Sequence, residues 1–277
     1  MKLICFSRDR ACQLHALLES AARFLPGTRP AILYKATTPE YRRGYELLDS
    51  RIEADYTAEA DFRSDLLAIL ERDRDPYLMF AVDDQLFRRR VPVASAISAL
   101  RDQQVLCFSL RLSPQITYCY SCDIQTPPPT FTMGQDAGVL KWNWQAGCRG
   151  DWAYPFSVDT TIYRTADVLA ALKRHTFSNP NTLEGFLAGD PCWKRWVMMA
   201  CGPESYAMNI PANLVQDTFR NRTCAGLAVE ELNRRYLAGE KIDIEPLVAA
   251  EVCSCHVALP YTFEAIRTAL QPIAEGK

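Results

Sequence analysis

The sequence contains no apolar run approaching the roughly 20 residues that span a bilayer. Its first apolar stretch, Leu3–Phe6, is also too short for the apolar core of a secretory leader. Neither charge sign dominates: 31 basic and 33 acidic side chains leave a net charge of −2, so a general nucleic-acid binder is not expected. The one dense basic run, Arg88–Arg90, reads as a solvated face. An even cysteine set is missing too. The 11 cysteines run from Cys5 to Cys255, several inside apolar stretches where a free thiol acts as a small hydrophobe. That pattern predicts a reducing, cytoplasmic setting, with peripheral attachment at the inner face of a membrane as the alternative. There is no internal repeat or low-complexity linker, so one continuous domain over residues 1–277 is expected.

What is present alternates. Leu3–Phe6 is followed by Leu14, Leu17, Leu18, Ala21 and Ala22 at helical spacing, ending at Pro26-Gly27. Ala31–Tyr34 precedes a stretch with Tyr41, Tyr45 and Leu48 on one face, and Phe62, Leu66, Ile69 and Leu70 mark the next helix. Tyr77–Val82 is six apolar residues in a row, the pattern of a strand buried on both faces. Pro92 opens a further helix, and Val105–Leu112 reads as another strand. The fold class expected is α/β, a mixed, mainly parallel sheet flanked by helices. Residues 113–156 lack periodicity but hold Trp142, Trp144 and Trp152, which argues for an ordered segment. Beyond it come a strand at Thr160–Tyr163, a helix capped by Thr165, a helix capped by Asp190 and holding Trp193 and Trp196, and a helix from Leu227 to Leu237 stopping at Gly239.

Asp83-Asp84-Gln85 lies directly after the most apolar run. In open α/β sheets, ligands bind beyond the carboxyl ends of the strands. Adjacent carboxylates there repel and resist desolvation, so a cation or a set of hydroxyl donors suits them. Oxygen ligands fit Mg²⁺ or Mn²⁺, which in turn neutralise a diphosphate. The alternative is an Asp pair bonding the backbone amides of its own turn.

Other residues carry similar pairs of readings. Glu184, three residues after Asn181, has the outline of a capping box. Asp159 can hold sugar hydroxyls or a turn amide. Trp152 and Tyr154, with Trp142 and Trp144, suit either a sugar-binding platform or packing under a long loop. Arg8, Arg10 and Lys35 can meet a diphosphate or stay solvated. His15 and His175 read as structural. His256 follows Cys253-Ser254-Cys255, but that segment with Cys119-x-x-Cys122 is not a standard zinc spacing.

The order of elements through Asp83-Asp84-Gln85, with Trp152–Asp159 and Pro180–Gly185, resembles GT-A fold glycosyltransferases, in particular family-2-like bacterial enzymes. That resemblance implies a Rossmann-like single domain with a C-terminal helical extension. Residues 1–112 would form the nucleotide-binding half and 113–260 the acceptor-binding half and extension. It implies a nucleoside-diphosphate sugar as donor, a saccharide or glycolipid as acceptor, and a divalent cation, Mn²⁺ or Mg²⁺. Ser7, Arg8, Asp9 and Arg10 would meet the nucleoside, and Asp83, Asp84 and Gln85, with Lys35, would complete the donor site. Asp84 and His256 would hold the metal, Trp152 and Tyr154 the acceptor, and Glu184 would be the base, with Asp159 as the second catalytic carboxylate. Gln85 departs from the family's Asp-x-Asp motif, which weakens the metal expectation and keeps a non-catalytic nucleotide-sugar binder as a rival. A sugar nucleotidyltransferase fits less well, because Ser7–Arg10 has no glycine where such enzymes carry a Gly-rich loop.

Overall fold

The computed structural model describes residues 1–72, 75–134, 136–215, 222–223 and 227–266. Strand and helix alternate first: β1 (Lys2–Arg8), α1 (Ala11–Phe24), β2 (Ala31–Lys35), α2 (Pro39–Asp49), β3 (Asp55–Ala58), α3 (Phe62–Arg72) and β4 (Tyr77–Val82). The short strand β5 (Gln85–Phe87), α4 (Val93–Arg101) and β6 (Val105–Ser109) follow. Four short strands come next, β7 (Tyr118–Cys119), β8 (Ile124–Gln125), β9 (Thr132–Met133) and β10 (Leu140–Asn143). Then come β11 (Thr161–Arg164), α5 (Thr165–Arg174), α6 (Pro180–Ala188), β12 (Met198–Cys201) and β13 (Ala207–Asn209). The last elements among the described residues are α7 (Val229–Leu237), β14 (Glu240–Ile242), α8 (Glu245–Ala249) and β15 (Phe263–Ala265).

Among the described residues, nine strands form the central sheet in the order β3-β2-β1-β4-β11-β6-β12-β10-β9. The block β3-β2-β1-β4 is parallel, β11 runs antiparallel to both its neighbours β4 and β6, and β12 pairs parallel with β6. This is the mixed, mainly parallel α/β sheet expected from sequence. The central strands are buried on both faces. Leu3, Cys5, Met79 and Ala81 enter one core and Ile4, Phe6, Leu78 and Phe80 the other, which is why β4 shows no alternation. The C-terminal elements add Leu232, Tyr236 and Ile242 to the first core and pack on α1 and α2, so the extension buttresses the N-terminal half.

Several local expectations need correction. β3 was not expected; at the sheet edge, half-buried and four residues long, it carries little apolar signal. Thr165 lies inside α5 and makes no capping bond. Asp190 does cap, accepting from the Cys192 amide, but the element is a short 3-10 turn that ends before Trp196. Gly239 follows α7 with φ +89°, the left-handed conformation that glycine adopts without strain. Among the described residues no helix is long and apolar enough to cross a membrane.

Candidate active site

The parallel strands β1, β2, β3, β4 and β6 all end at one edge of the sheet, where Arg8, Lys35, Glu59, Asp83 and Arg111 emerge. Because β11 is antiparallel and lies between β4 and β6, it begins at that same edge and brings Asp159 beside them. Thr160, the residue between, is held at φ +40°, a costly conformation for a β-branched residue. Two backbone bonds fix it, from Thr160 N to Phe80 O (2.8 Å) and from Leu110 N to Thr160 O (3.2 Å). The strained residue thus sits where the chain must turn Asp159 into the opening. A cleft of about 600 Å³ covers this edge.

On the wall formed by β1 and β4, Asp83 is braced from within. It accepts from Ser7 Oγ (2.9 Å), Arg8 N (3.1 Å) and Arg10 Nη1 (2.9 Å). Arg10 also reaches the Asn213 carbonyl and lies 3.7 Å from Asp84 Oδ2. Burial acts to lower the Arg10 pKa, but Asp83 and Asp84 more than reverse it, so the guanidinium stays charged. Asp84 accepts a bond from Asn209 Nδ2 (3.1 Å). Burial pushes its carboxyl up to about 7, with Arg10 opposing and the charges of Asp83 and Asp159 adding to the rise.

On the opposite wall, Arg111 forks. Its Nη1 meets Asp159 Oδ2 (3.1 Å) and Asn209 Oδ1 (3.0 Å), while Nη2 donates to Ser157 Oγ (3.1 Å). Glu184 accepts from Val158 N (3.1 Å), and burial, then the charge of Asp159, raise its pKa to about 7 against the pull of Arg111. His256 places Nε2 3.9 Å from Asp159 Oδ2 and stacks its ring against Tyr120 at 6.4 Å. Burial, and then Arg111, lower its pKa, which favours the neutral ring, and its buried Nδ1 has no hydrogen-bond partner among the described residues.

Of the residues singled out in the sequence, Ser7, Arg8, Arg10, Lys35, Asp83, Asp84, Tyr154, Asp159, Glu184 and His256 all line this one cleft. Three others do other work. Gln85 is 1% exposed, accepts from Val82 N and donates to Asn209, so its neutral side chain braces the turn and says nothing about a metal. Asp9, in a left-handed turn at φ +59°, is spent on Thr37 N and Oγ1. Trp152 is 1% exposed, packs edge-on to Trp142 and donates to the Ile116 carbonyl, so it cannot touch an acceptor. Glu184 is not part of a capping box either. Asn179 and Thr182 form that box, which leaves Glu184 one turn into α6 with its carboxylate turned to the cleft. Among the described residues no group of three or more His, Cys, Asp or Glu side chains is placed to hold a metal ion, and the zinc spacing is not assembled.

Sequence reading missed Arg111 and Asn209, the two residues that tie the walls together. Arg111 had a legible signal, a lone guanidinium in the apolar run Val105–Leu112, since a charge buried there must be paired. Arg111→Lys keeps the charge but cannot reproduce the fork. It is expected to lower stability by about 2 kcal/mol, read as the shift in the urea midpoint at unchanged slope.

No protein-family model matches the chain. It is 26% identical over 254 residues to the bifunctional glycosyltransferase pgtA of Dictyostelium discoideum, across 80% of this chain and 33% of that protein. The chain therefore spans about a third of the length of this curated relative. The resemblance to glycosyltransferases drawn from the sequence is shared by this relative, whereas a bacterial branch is not what the match points to. Among solved structures, S. aureus TarS is similar over 76% of this chain and 37% of its own at 14% identity, TM-score 0.47. The mannosyltransferase PcManGT from Pyrobaculum calidifontis, in complex with GDP-Man and Mn²⁺, covers 41% and 36% at 13% identity, TM-score 0.33. A 4-diphosphocytidyl-2C-methyl-D-erythritol synthase from Anaerococcus prevotii covers 74% and 90% at 10% identity, TM-score 0.39. Likenesses this distant do not discriminate between transferase classes.

Proposed function

We propose that the chain transfers a sugar from a nucleoside-diphosphate donor to a hydroxyl of a saccharide or glycolipid acceptor, with inversion at the anomeric carbon. The observation that carries this reading is a single cleft with a braced carboxylate pair, Asp83 and Asp84, on one wall and a proton-accepting carboxylate, Glu184, on the other. The sequence kinship with a glycosyltransferase supports it. Asp84 offers a hard oxygen that suits Mn²⁺ or Mg²⁺, and His256, whose burial favours the neutral ring, would add a nitrogen that suits Mn²⁺ rather than Mg²⁺. Such an ion, when bound, supplies the charge that stabilises a departing diphosphate.

The chain's own groups divide the remaining work. Arg10 holds Asp83 and Asp84 in place and brings a fixed positive charge to the donor wall. Glu184 takes the proton of the acceptor hydroxyl as its oxygen bonds the anomeric carbon and the bond from that carbon to the diphosphate oxygen breaks. Arg111 pairs with Asp159 and fixes it beside the base, where it can accept bonds from sugar hydroxyls. Tyr154, at the rim and 38% exposed, offers an aromatic face to the acceptor.

A base with a pKa near 7 sets the pH dependence. Glu184 works only when ionised, so kcat/KM should be flat above about pH 7 and fall on acidification, towards tenfold per pH unit. Asp84, protonating in the same range, should steepen that limb. The check is release of nucleoside diphosphate from donor sugars, with and without acceptor, between pH 5 and 9. A rate that does not change across that range rules out Glu184 as the base, and no release from any donor rules out the transferase.

A further inference from the structure

One part of the cleft lies away from all of these groups. At its far side, the ends of β2 and β3 bring Lys35 and Glu59 together, with Nζ to Oε1 at 2.9 Å. The sheet order places β2 and β1 between β3 and β4, so Glu59 stands three strand spacings, about 14 Å, from the strand that presents Asp84. Phe6, Leu33 and Phe62 line the cleft here, with the two rings edge-on at 61°, an apolar floor beside a charged pair. The pair is unlike an ordinary surface salt bridge, which contributes only about 0–1 kcal/mol. The Glu59 side chain is 13% exposed while Lys35 is 48% exposed, so the carboxylate is sunk into the cleft wall and its second oxygen has no protein donor among the described hydrogen bonds.

We infer that Lys35 and Glu59 read the base of the donor nucleotide and select guanine; the inference rests on the donor-site reading above. Along its pairing edge guanine presents an acceptor, O6, then two donors, N1–H and the N2 amino group. A carboxylate accepts both donors side by side, and an adjacent ammonium donates to O6. No other base fits this order. Uracil presents acceptor, donor, acceptor, so the second carboxylate oxygen would face a carbonyl. Cytosine and adenine place a ring-nitrogen acceptor where N1–H stands in guanine, again against the carboxylate. Discrimination of this kind comes as much from the repulsion met by the wrong base as from bonds to the right one. Lys35, which sequence analysis assigned to the diphosphate, is thereby placed at the opposite end of the same ligand.

The test is titration calorimetry of the full chain with GDP, IDP, UDP, CDP and ADP, with Mn²⁺ and again with EDTA. GDP is expected to bind at least about tenfold more tightly than UDP, CDP or ADP. IDP, which keeps O6 and N1–H but lacks the N2 amino group, should be about tenfold weaker than GDP, the loss of one charge-assisted bond. In Glu59→Gln an amide N–H₂ replaces one acceptor, so GDP should weaken by about ten- to a hundredfold and the gap between GDP and IDP should close. A melting curve matching the wild type certifies the variant's fold. UDP, CDP or ADP binding as tightly as GDP overturns the guanine assignment and leaves the donor site standing. So does a GDP-to-IDP ratio of one in the wild type, a result that needs no variant. Failure of every diphosphate to bind overturns the donor site and this inference together.

Discussion

Glu184→Gln is expected to lower turnover by about two to four orders of magnitude, with nucleoside-diphosphate affinity changed by less than about threefold. The substitution is nearly isosteric. Its amide oxygen can still accept from Val158 N, the bond that Glu184 Oε1 makes at 3.1 Å. It also leaves the start of α6 intact, because Asn179 and Thr182 supply the capping box. What disappears is the one carboxylate lining the cleft, among the described residues and apart from Asp84, with a pKa raised to near 7. A base matched to neutral pH is half ionised where it operates and still basic enough to accept a proton in the transition state. Single-turnover rates with saturating donor and acceptor separate this effect from binding. Near-normal turnover would move the role to Asp159, which shares the wall but is paired with Arg111.

The N-terminal half was legible because its physics is local. A six-residue apolar run, too short for a helix and entered through Asp75-Pro76, reads as a strand covered on both faces, and the two cores that flank β4 are what the run encodes. Asp83 and Asp84 stood out because carboxylates at the exit of such a strand need a reason to be there. The other wall is not local. Residues 111, 159, 184, 209 and 256 meet because β11 inserts antiparallel between β4 and β6, and nothing in the sequence near Thr161–Arg164 announces that direction. Gln85 misled for a related reason. Read in line with Asp83 and Asp84 it belongs to the same motif, yet the turn into β5 points it inward to Asn209, a partner 124 residues away. Trp152 misled because aromatic content alone does not separate a sugar platform from a packed cluster, and here Trp142, Phe131 and Trp152 form the cluster.

Asp84→Asn is expected to make the protein inactive and more stable at once. The activity loss should be at least about a hundredfold, the usual cost of removing a preorganised electrostatic group, and any gain in nucleotide affinity from Mn²⁺ should vanish with it. The stability gain follows from the pKa. In the folded chain burial holds the Asp84 carboxyl near 7 against its ordinary 3.8, so the native state binds this proton more tightly than the unfolded chain does. A group raised in this way destabilises progressively as pH climbs from its unfolded value to its folded one, and imposes its full penalty above about 7. The displacement corresponds to at most about 4 kcal/mol. With 17% of the side chain open to water, we expect about half of that in EDTA. Asparagine carries no charge to desolvate, and Arg10 keeps Asp83 and the Asn213 carbonyl as partners. The melting temperature of the variant should therefore exceed that of the wild type by several degrees at pH 8 and match it near pH 4. A variant that melts lower at pH 8, with unchanged specific activity in its folded fraction, would make Asp84 a structural residue and remove it from the donor site.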